Sequence, residues 1–228
     1  MCAMTVQPYG DSAVIAVLGE RIDEATVRRV WQVSALARER FGSKALDVVP
    51  AYASVLVRFD PRELEMAIAL ATLHGAVDDG GRSIELRPRQ ITVGVLFGDE
   101  HGIDLDATAH AVGLRSDDYV KALCAAQFHV AFLGFLAGFP YLLGLPEALS
   151  LPRLASPRDR VPAGSVAIAG GQCGIYPRSS PGGWRLLGTT RAALFDPAHE
   201  MPSLFAPGDE VRFRRVAHES DALAEVSW

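Results

Sequence analysis

Apolar residues crowd two short stretches near the start of the chain, Ser12 to Leu18 and Ser54 to Phe59, and both predict strands. Between them Val27, Val30, Trp31, Ala37 and Phe41 fall near one face of a helix. Asp23 is its expected cap, and Gly42 its stop. After the second strand, Asp60-Pro61-Arg62-Glu63 has the form of another helix start, with Asp60 as cap and Pro61 at the first helical position. That helix is expected to end near His74-Gly75, and the polar, glycine-bearing run from Val77 to Arg89 is the best linker candidate.

Beyond the linker the pattern changes. Gln90 to Phe97 predicts a strand, Asp104 is expected to cap a helix to about Val112, and Ser116 another through Leu123 and Cys124. Short β segments then alternate with Gly/Pro turns: Val130–Phe135, Ser165–Ala169, Arg185–Leu187 and Val211–Val216. Many short strands with turn signals indicate a barrel or a sandwich. The expected fold class is α+β, with a small N-terminal α/β domain (residues 1–84) followed by a larger β-rich domain (residues 85–228).

Composition narrows the function classes. The chain has 228 residues, 49% apolar and 21% charged, the profile of an ordinary globular protein with ample core. A net charge of −5 argues against general nucleic-acid binding, which needs a basic footprint. The apolar run from Val130 to Leu145 is too short to cross a bilayer and is broken by glycines and a proline, so no membrane role is expected. Three cysteines without metal-like spacing, and a start unlike a signal peptide, make a reduced cytoplasmic protein the expectation.

Standard catalytic signatures are missing from the sequence. Lys44 and Lys121 are the two lysines, and neither closes a glycine loop; there is no Gly-x-Gly-x-x-Gly, Gly-x-Ser-x-Gly or His-Glu-x-x-His run, and no metal site is expected. His101 and His129 lie near motifs and are candidates for proton transfer, although a lone histidine is more often structural. The informative region is the loop-rich stretch from Phe135 to Trp184. From Leu151 to Arg191 it carries six arginines against one acid, Asp159. Arg158 and Arg160 can donate paired bonds to a carboxylate or phosphate. Gln172 offers donor and acceptor to an amide, and Tyr176 a hydroxyl on an aromatic wall. Ser165 and Ser180 adjoin Gly164 and Gly182-Gly183, where backbone N–H groups could form an anion nest. Alternatively these glycines and prolines simply turn the corners of a barrel.

Gly-Phe-Pro-Tyr-Leu (138–142), Pro-Arg-Leu-Ala-Ser-Pro-Arg (152–158), Arg-Val-Pro-Ala-Gly-Ser-Val (160–166), Gly-Ile-Tyr-Pro (174–177) and Ser-Pro-Gly-Gly-Trp (180–184) occur in order. With Gly10-Asp11-Ser12-Ala13 and Val49-Pro50-Ala51-Tyr52, they make the chain resemble the allophanate hydrolase subunit 1 family, which includes the B subunit of 5-oxoprolinase and the kinase inhibitor KipI. It is also similar to half of the carboxyltransferase domain of urea carboxylase. The resemblance implies a cyclophilin-like β-barrel for the second domain and an ATP-dependent opening of 5-oxoproline to glutamate, or hydrolysis of a related lactam or amide. It implies ATP with Mg2+, at a site this chain does not reveal. It also implies two partners: an obligate C subunit (allophanate hydrolase subunit 2-like) and a LamB/YcsF-like A subunit. On matching positions it implies catalytic roles for Arg160, Gln172 and Tyr176, and substrate binding by Tyr141, Arg158, Ser165 and Trp184.

The chain departs from the family pattern at Leu136-Ala137 (usually Thr-Pro), Gly171 (Asn), Cys173 (Thr) and Thr189 (Arg). The Gly171 and Cys173 changes are expected to weaken hydrogen bonding inside the pocket. Two other readings stand beside that of an enzyme component. One is a KipI-like inhibitor of a sensor histidine kinase, the other a prolyl isomerase, suggested by the fold alone.

Overall fold

The computed structural model describes residues 4–80 and 88–227. The chain divides into two compact units, Met1–Leu86 and Arg87–Trp228. The expected boundary between residues 84 and 85 lies outside the described residues, as does most of the expected linker.

In the first unit, strands β1 (Thr5–Pro8), β2 (Ala13–Val17), β3 (Ala45–Pro50) and β4 (Ser54–Phe59) form an antiparallel sheet in the order β1-β2-β4-β3. Helices α1 (Glu24–Phe41) and α2 (Met66–Asp79) pack on it. Val55, Val57 and Phe59 alternate inward along β4 and meet Val30, Val33, Ala37 and Phe41 of α1 and Ala69, Leu73 and Ala76 of α2. The first helix follows its sequence signals. The Thr26 N–H donates to Asp23 Oδ1 at 2.9 Å, and Gly42 ends the helix with φ +52°.

The second helix corrects the expectation at both ends. Asp60 caps no helix; its carboxylate accepts from the Arg62 N–H at 2.9 Å and closes a turn. The helix starts at Met66, with Glu65 at the cap position. Nor does it stop at His74-Gly75. Burial of Ala76 and Val77 carries it to Asp79, outweighing the roughly 1 kcal/mol that an internal glycine costs.

The second unit is a closed barrel. β5 (Gln90–Phe97) leads into helices α3 (Leu105–Ala111) and α4 (Ser116–Ala125). Strands β6 (Phe128–Leu133), β7 (Pro140–Leu143), β8 (Arg158–Val161), β9 (Ser165–Ala169), β10 (Gln172–Ile175), β11 (Ser180–Gly182), β12 (Arg185–Thr189), β13 (Glu210–Arg215) and β14 (Ala224–Ser227) follow. The ring runs β12-β9-β10-β7-β6-β13-β5 and closes where Gly188 and Thr189 of β12 pair with Phe97 and Leu96 of β5. The β13–β5 pairing is parallel; every other ring pairing is antiparallel. β14 adds to β5 outside the ring, and β8 and β11 form a separate ribbon. Closure leaves the ring without a free edge. Where the sequence left barrel and sandwich open, the pairings give the barrel.

Neither expected cap in this unit acts as one. Asp104 precedes α3 but its side chain caps nothing there, because it is engaged elsewhere. Ser116 is already helical, with Arg115 at the cap position, and its hydroxyl donates to Asp106. Inside the barrel, Val93, Val130, Leu142, Ile168, Cys173 and Leu187 pack with Tyr119 and Leu123 of α4. A buried ion pair between Arg89 and Asp209 sits just before β5 and β13, with Arg89 Nε 3.0 Å from Asp209 Oδ1. Among the described residues no helix is long and apolar enough to cross a membrane.

Candidate functional site

β9 is buried along its whole length, and the strand period of two explains why. Val166 and Ile168 face the barrel interior, whereas Ala167 and Ala169 face a second, outer cluster. The same alternation sends Cys173 and Ile175 inward and places Gly174 and Tyr176 on the outer layer. Phe139, Val161, Trp184 and Leu186 complete that layer, with Leu136 and Tyr141 against it.

Small residues on the strands make room for large rings above them. Gly174 pairs with Ala167 on one side and Tyr141 on the other. A Cβ at Gly174 would lie 2.7 Å from the Phe139 ring and 3.0 Å from that of Trp184. At Gly182 a Cβ would run into the Tyr176 hydroxyl. The rings meet edge to face: Phe139–Tyr176 centroids are 5.2 Å apart at 87°, and Phe139–Trp184 5.6 Å apart at 89°. This is the geometry that aromatic quadrupoles favour. Phe135 extends the wall, 5.5 Å from Phe139. Its backbone holds φ +65°, a left-handed conformation that costs a bulky residue energy and that clusters at functional sites.

These rings line a cavity of about 260 Å³, with Arg153, Pro157, Pro181, Gly182 and Gly183 completing its walls. That is just under the range for drug-sized ligands and suits one small metabolite. Burial pushes the Tyr141 and Tyr176 phenols above their ordinary value, with the Arg153 charge acting in the opposite sense, so both remain neutral hydrogen-bonding groups at physiological pH.

A second cavity of about 190 Å³ lies among Glu100, His101, Ile103, Arg158, Arg160, Pro162, Ser165, Leu186 and Thr189. Arg158 is neutralised there. Its Nη2 lies 2.6 Å from Asp104 Oδ1, while Asp104 Oδ2 accepts from the Leu186 N–H at 2.7 Å. Arg160 is exposed and donates through Nε to Ser179 Oγ at 3.2 Å. Thr189 donates through Oγ1 to the His101 carbonyl at 2.9 Å.

The seven residues singled out from sequence therefore separate. Tyr141, Tyr176 and Trp184 share the aromatic pocket. Arg158, Arg160 and Ser165 share the second cavity. Gln172, half-buried on β10 opposite Ala169, lines neither. The anion nest expected at Gly164-Ser165 does not form, because the Gly164 N–H donates to the Tyr176 carbonyl at 2.7 Å and the Ser165 N–H to that of Pro162. His129 lies on β6 and lines neither cavity, whereas His101 lines the second. Cys173 faces the barrel core, where burial pushes its thiol up to about 12, and Gly171 is exposed with open space around it. The expectation that these two departures weaken the pocket's hydrogen bonding is thus corrected. Sequence reasoning passed over Phe135, Phe139 and Arg153. Phe139 stood within the Gly-Phe-Pro-Tyr motif and Arg153 within the arginine-rich segment, but neither position showed which cavity it would face.

Among the described residues no group of three or more His, Cys, Asp or Glu side chains is placed to hold a metal ion.

The carboxyltransferase-domain family, subdomains C and D, matches residues 4–205. The 5-oxoprolinase B subunit of Escherichia coli O157:H7 is 37% identical over 204 residues, covering 90% of this chain and 92% of that protein. The crystal structure of TTHA0988 is 37% identical with a TM-score of 0.79; the match covers 94% of this chain, which spans only 41% of that one. Urea carboxylase of Kluyveromyces lactis, at 20% identity and a TM-score of 0.76 over 98% of this chain and 24% of that one, shares the fold.

Proposed function

The chain belongs to the carboxyltransferase-domain family, subdomains C and D, and on that premise we propose that it is the B subunit of an ATP-dependent 5-oxoprolinase. One observation carries the reading. Relatives named as B subunits of 5-oxoprolinase match at 33–37% identity along 90% or more of the chain, and a pocket for one small ring compound lies within the matched region. That match favours the hydrolase reading over the kinase-inhibitor one.

The chemistry asks for division of labour. A lactam carbonyl is a poor electrophile; phosphorylation of its oxygen by ATP, with release of ADP, opens the ring carbon to water. The adduct collapses by breaking the C–N bond to leave an acyl phosphate, and a second water hydrolyses that to carboxylate and phosphate. This chain's part is to hold the lactam. The rings of Phe139, Tyr141 and Trp184 take the apolar edge, and the neutral Tyr176 hydroxyl orients the amide. Arg160, with Ser165 in the neighbouring cavity, supports the developing phosphate charge, and Gln172 on β10 orients the substrate once the partner is in place. ATP with Mg2+ is used by the assembly that this chain forms with two partner proteins, at a site this sequence does not locate. Of these, the allophanate hydrolase subunit 2-like protein completes the site, and the LamB/YcsF-like protein is required for turnover.

Co-expression with both partners tests the proposal through ATP-dependent release of glutamate from 5-oxoproline. The expected result is turnover by the three-part assembly, abolished by Arg160→Ala with assembly intact. Absence of substrate-stimulated ATPase with any lactam or urea-like amide rejects the enzyme reading. Loss of assembly on Arg160→Ala makes Arg160 an interface residue instead.

A further inference from the structure

The six arginines between Leu151 and Arg191 have different fates. Arg158 is paired with Asp104, Arg191 with Glu219 at 2.6 Å, and Arg160 donates to Ser179. Arg185 donates through Nε to the Pro152 carbonyl at 3.0 Å. Arg153 and Arg178 make no hydrogen bond or ion pair with the described residues, and of these two only Arg153 lines the aromatic pocket.

The backbone around Arg153 is anchored on both sides. Its preceding carbonyl, Pro152, accepts from Arg185, and the following Leu154 N–H donates to the Gly183 carbonyl at 2.8 Å. Two residues before Arg153, Leu151 bridges to Gly170. The main chain is therefore fixed while the side chain is left uncommitted. Its charge reaches both pocket phenols. Among the described residues neither Asp nor Glu lines the pocket, so no carboxylate of theirs balances the guanidinium there. A free planar cation at the wall of an aromatic cavity matches a ligand with a flat, weakly polar body and one carboxylate.

We propose that Arg153 is the specificity-determining residue of the aromatic pocket, binding the carboxylate of an α-carboxylated lactam and so rejecting neutral lactams. This rests on the 5-oxoprolinase reading for the reaction, but not for the binding. A charge-assisted hydrogen bond from the exposed Arg153 at the rim of the aromatic pocket favours the ligand that carries the carboxylate over an analogue lacking it. The contact is made alike in ground and transition states, so its loss appears in KM rather than kcat.

The test uses the complete three-part assembly, and compares 5-oxoproline with 2-pyrrolidinone, the same ring without the carboxylate. Titration calorimetry without ATP reads binding, and glutamate or 4-aminobutyrate release with ATP reads turnover. Arg153→Met is expected to weaken 5-oxoproline binding and raise its KM by about 10- to 100-fold, with kcat changed little. It is expected to leave 2-pyrrolidinone unaffected, and Arg153→Lys to be intermediate. Unchanged 5-oxoproline affinity in Arg153→Met, or equal losses for both lactams, overturns the proposal. A wild-type complex that binds 5-oxoproline through Arg153 without turning it over sinks the reaction and keeps the carboxylate site. A complex that neither binds nor turns over 5-oxoproline rejects both.

Discussion

Arg153 and Arg158 stand five residues apart in one motif, yet the fold treats them oppositely. Arg158 is drawn against Asp104, whose second oxygen holds the Leu186 amide, so its charge ties β8 to β12. Arg153 keeps an anchored backbone and an unspent charge beside five aromatic rings. The residue type is the same in both cases. What differs is whether the topology brings a carboxylate within reach, and that decides which guanidinium is paired inside the fold.

The largest expected effect comes from removing the carboxylate. Asp104→Ala leaves the Arg158 guanidinium and the Leu186 N–H without their acceptor, and should cost about 2–4 kcal/mol by urea denaturation. Arg153→Met should barely move the same curve. Equal destabilisation by the two variants would erase the distinction between them. Next comes Gly174→Ala, which forces Phe139 and Trp184 apart and should cost about 1–3 kcal/mol while closing the aromatic pocket, read as lost 5-oxoproline affinity. Smaller and more gradual is an alkaline loss. Burial raises the phenols of Tyr119, Tyr141 and Tyr176, so their contribution to stability is complete below the unfolded phenol value of about 10 and falls as pH rises beyond it. Tyr119→Phe should flatten that fall in thermal melts recorded across the alkaline range, since Tyr119, bonded to the Leu149 carbonyl, is the most deeply shifted.

Much of the fold could be read before it was seen, where burial is one-sided. The helix from Asp23 to Gly42 carries its cap, stripe and stop in the sequence, and β4 its alternation. β1 and β3 went unread because they are mostly exposed edge strands with little apolar signal. Short barrel strands such as β7 and β10 were hidden among glycines and prolines that mark turns elsewhere. Capping motifs misled wherever a side chain had a stronger distant partner, as Asp104 does in Arg158 and Leu186. The site was legible as a region and a set of residue types. Its division into an aromatic and an arginine-lined cavity was not, because inward and outward positions on β9 and β10 are both apolar or small.

The closure of the barrel has a consequence for how the chain is made. β5 is the first barrel strand to be synthesised, but its partners β12, β13 and β14 all come from residue 185 onward. Ile91, Val93 and Val95 must therefore wait, unpaired, for nearly the whole unit to emerge. Such distant pairings raise contact order, slow folding and leave an apolar strand open to wrong partners in the interval. The strand that seals the finished barrel is the one most exposed to aggregation during its birth.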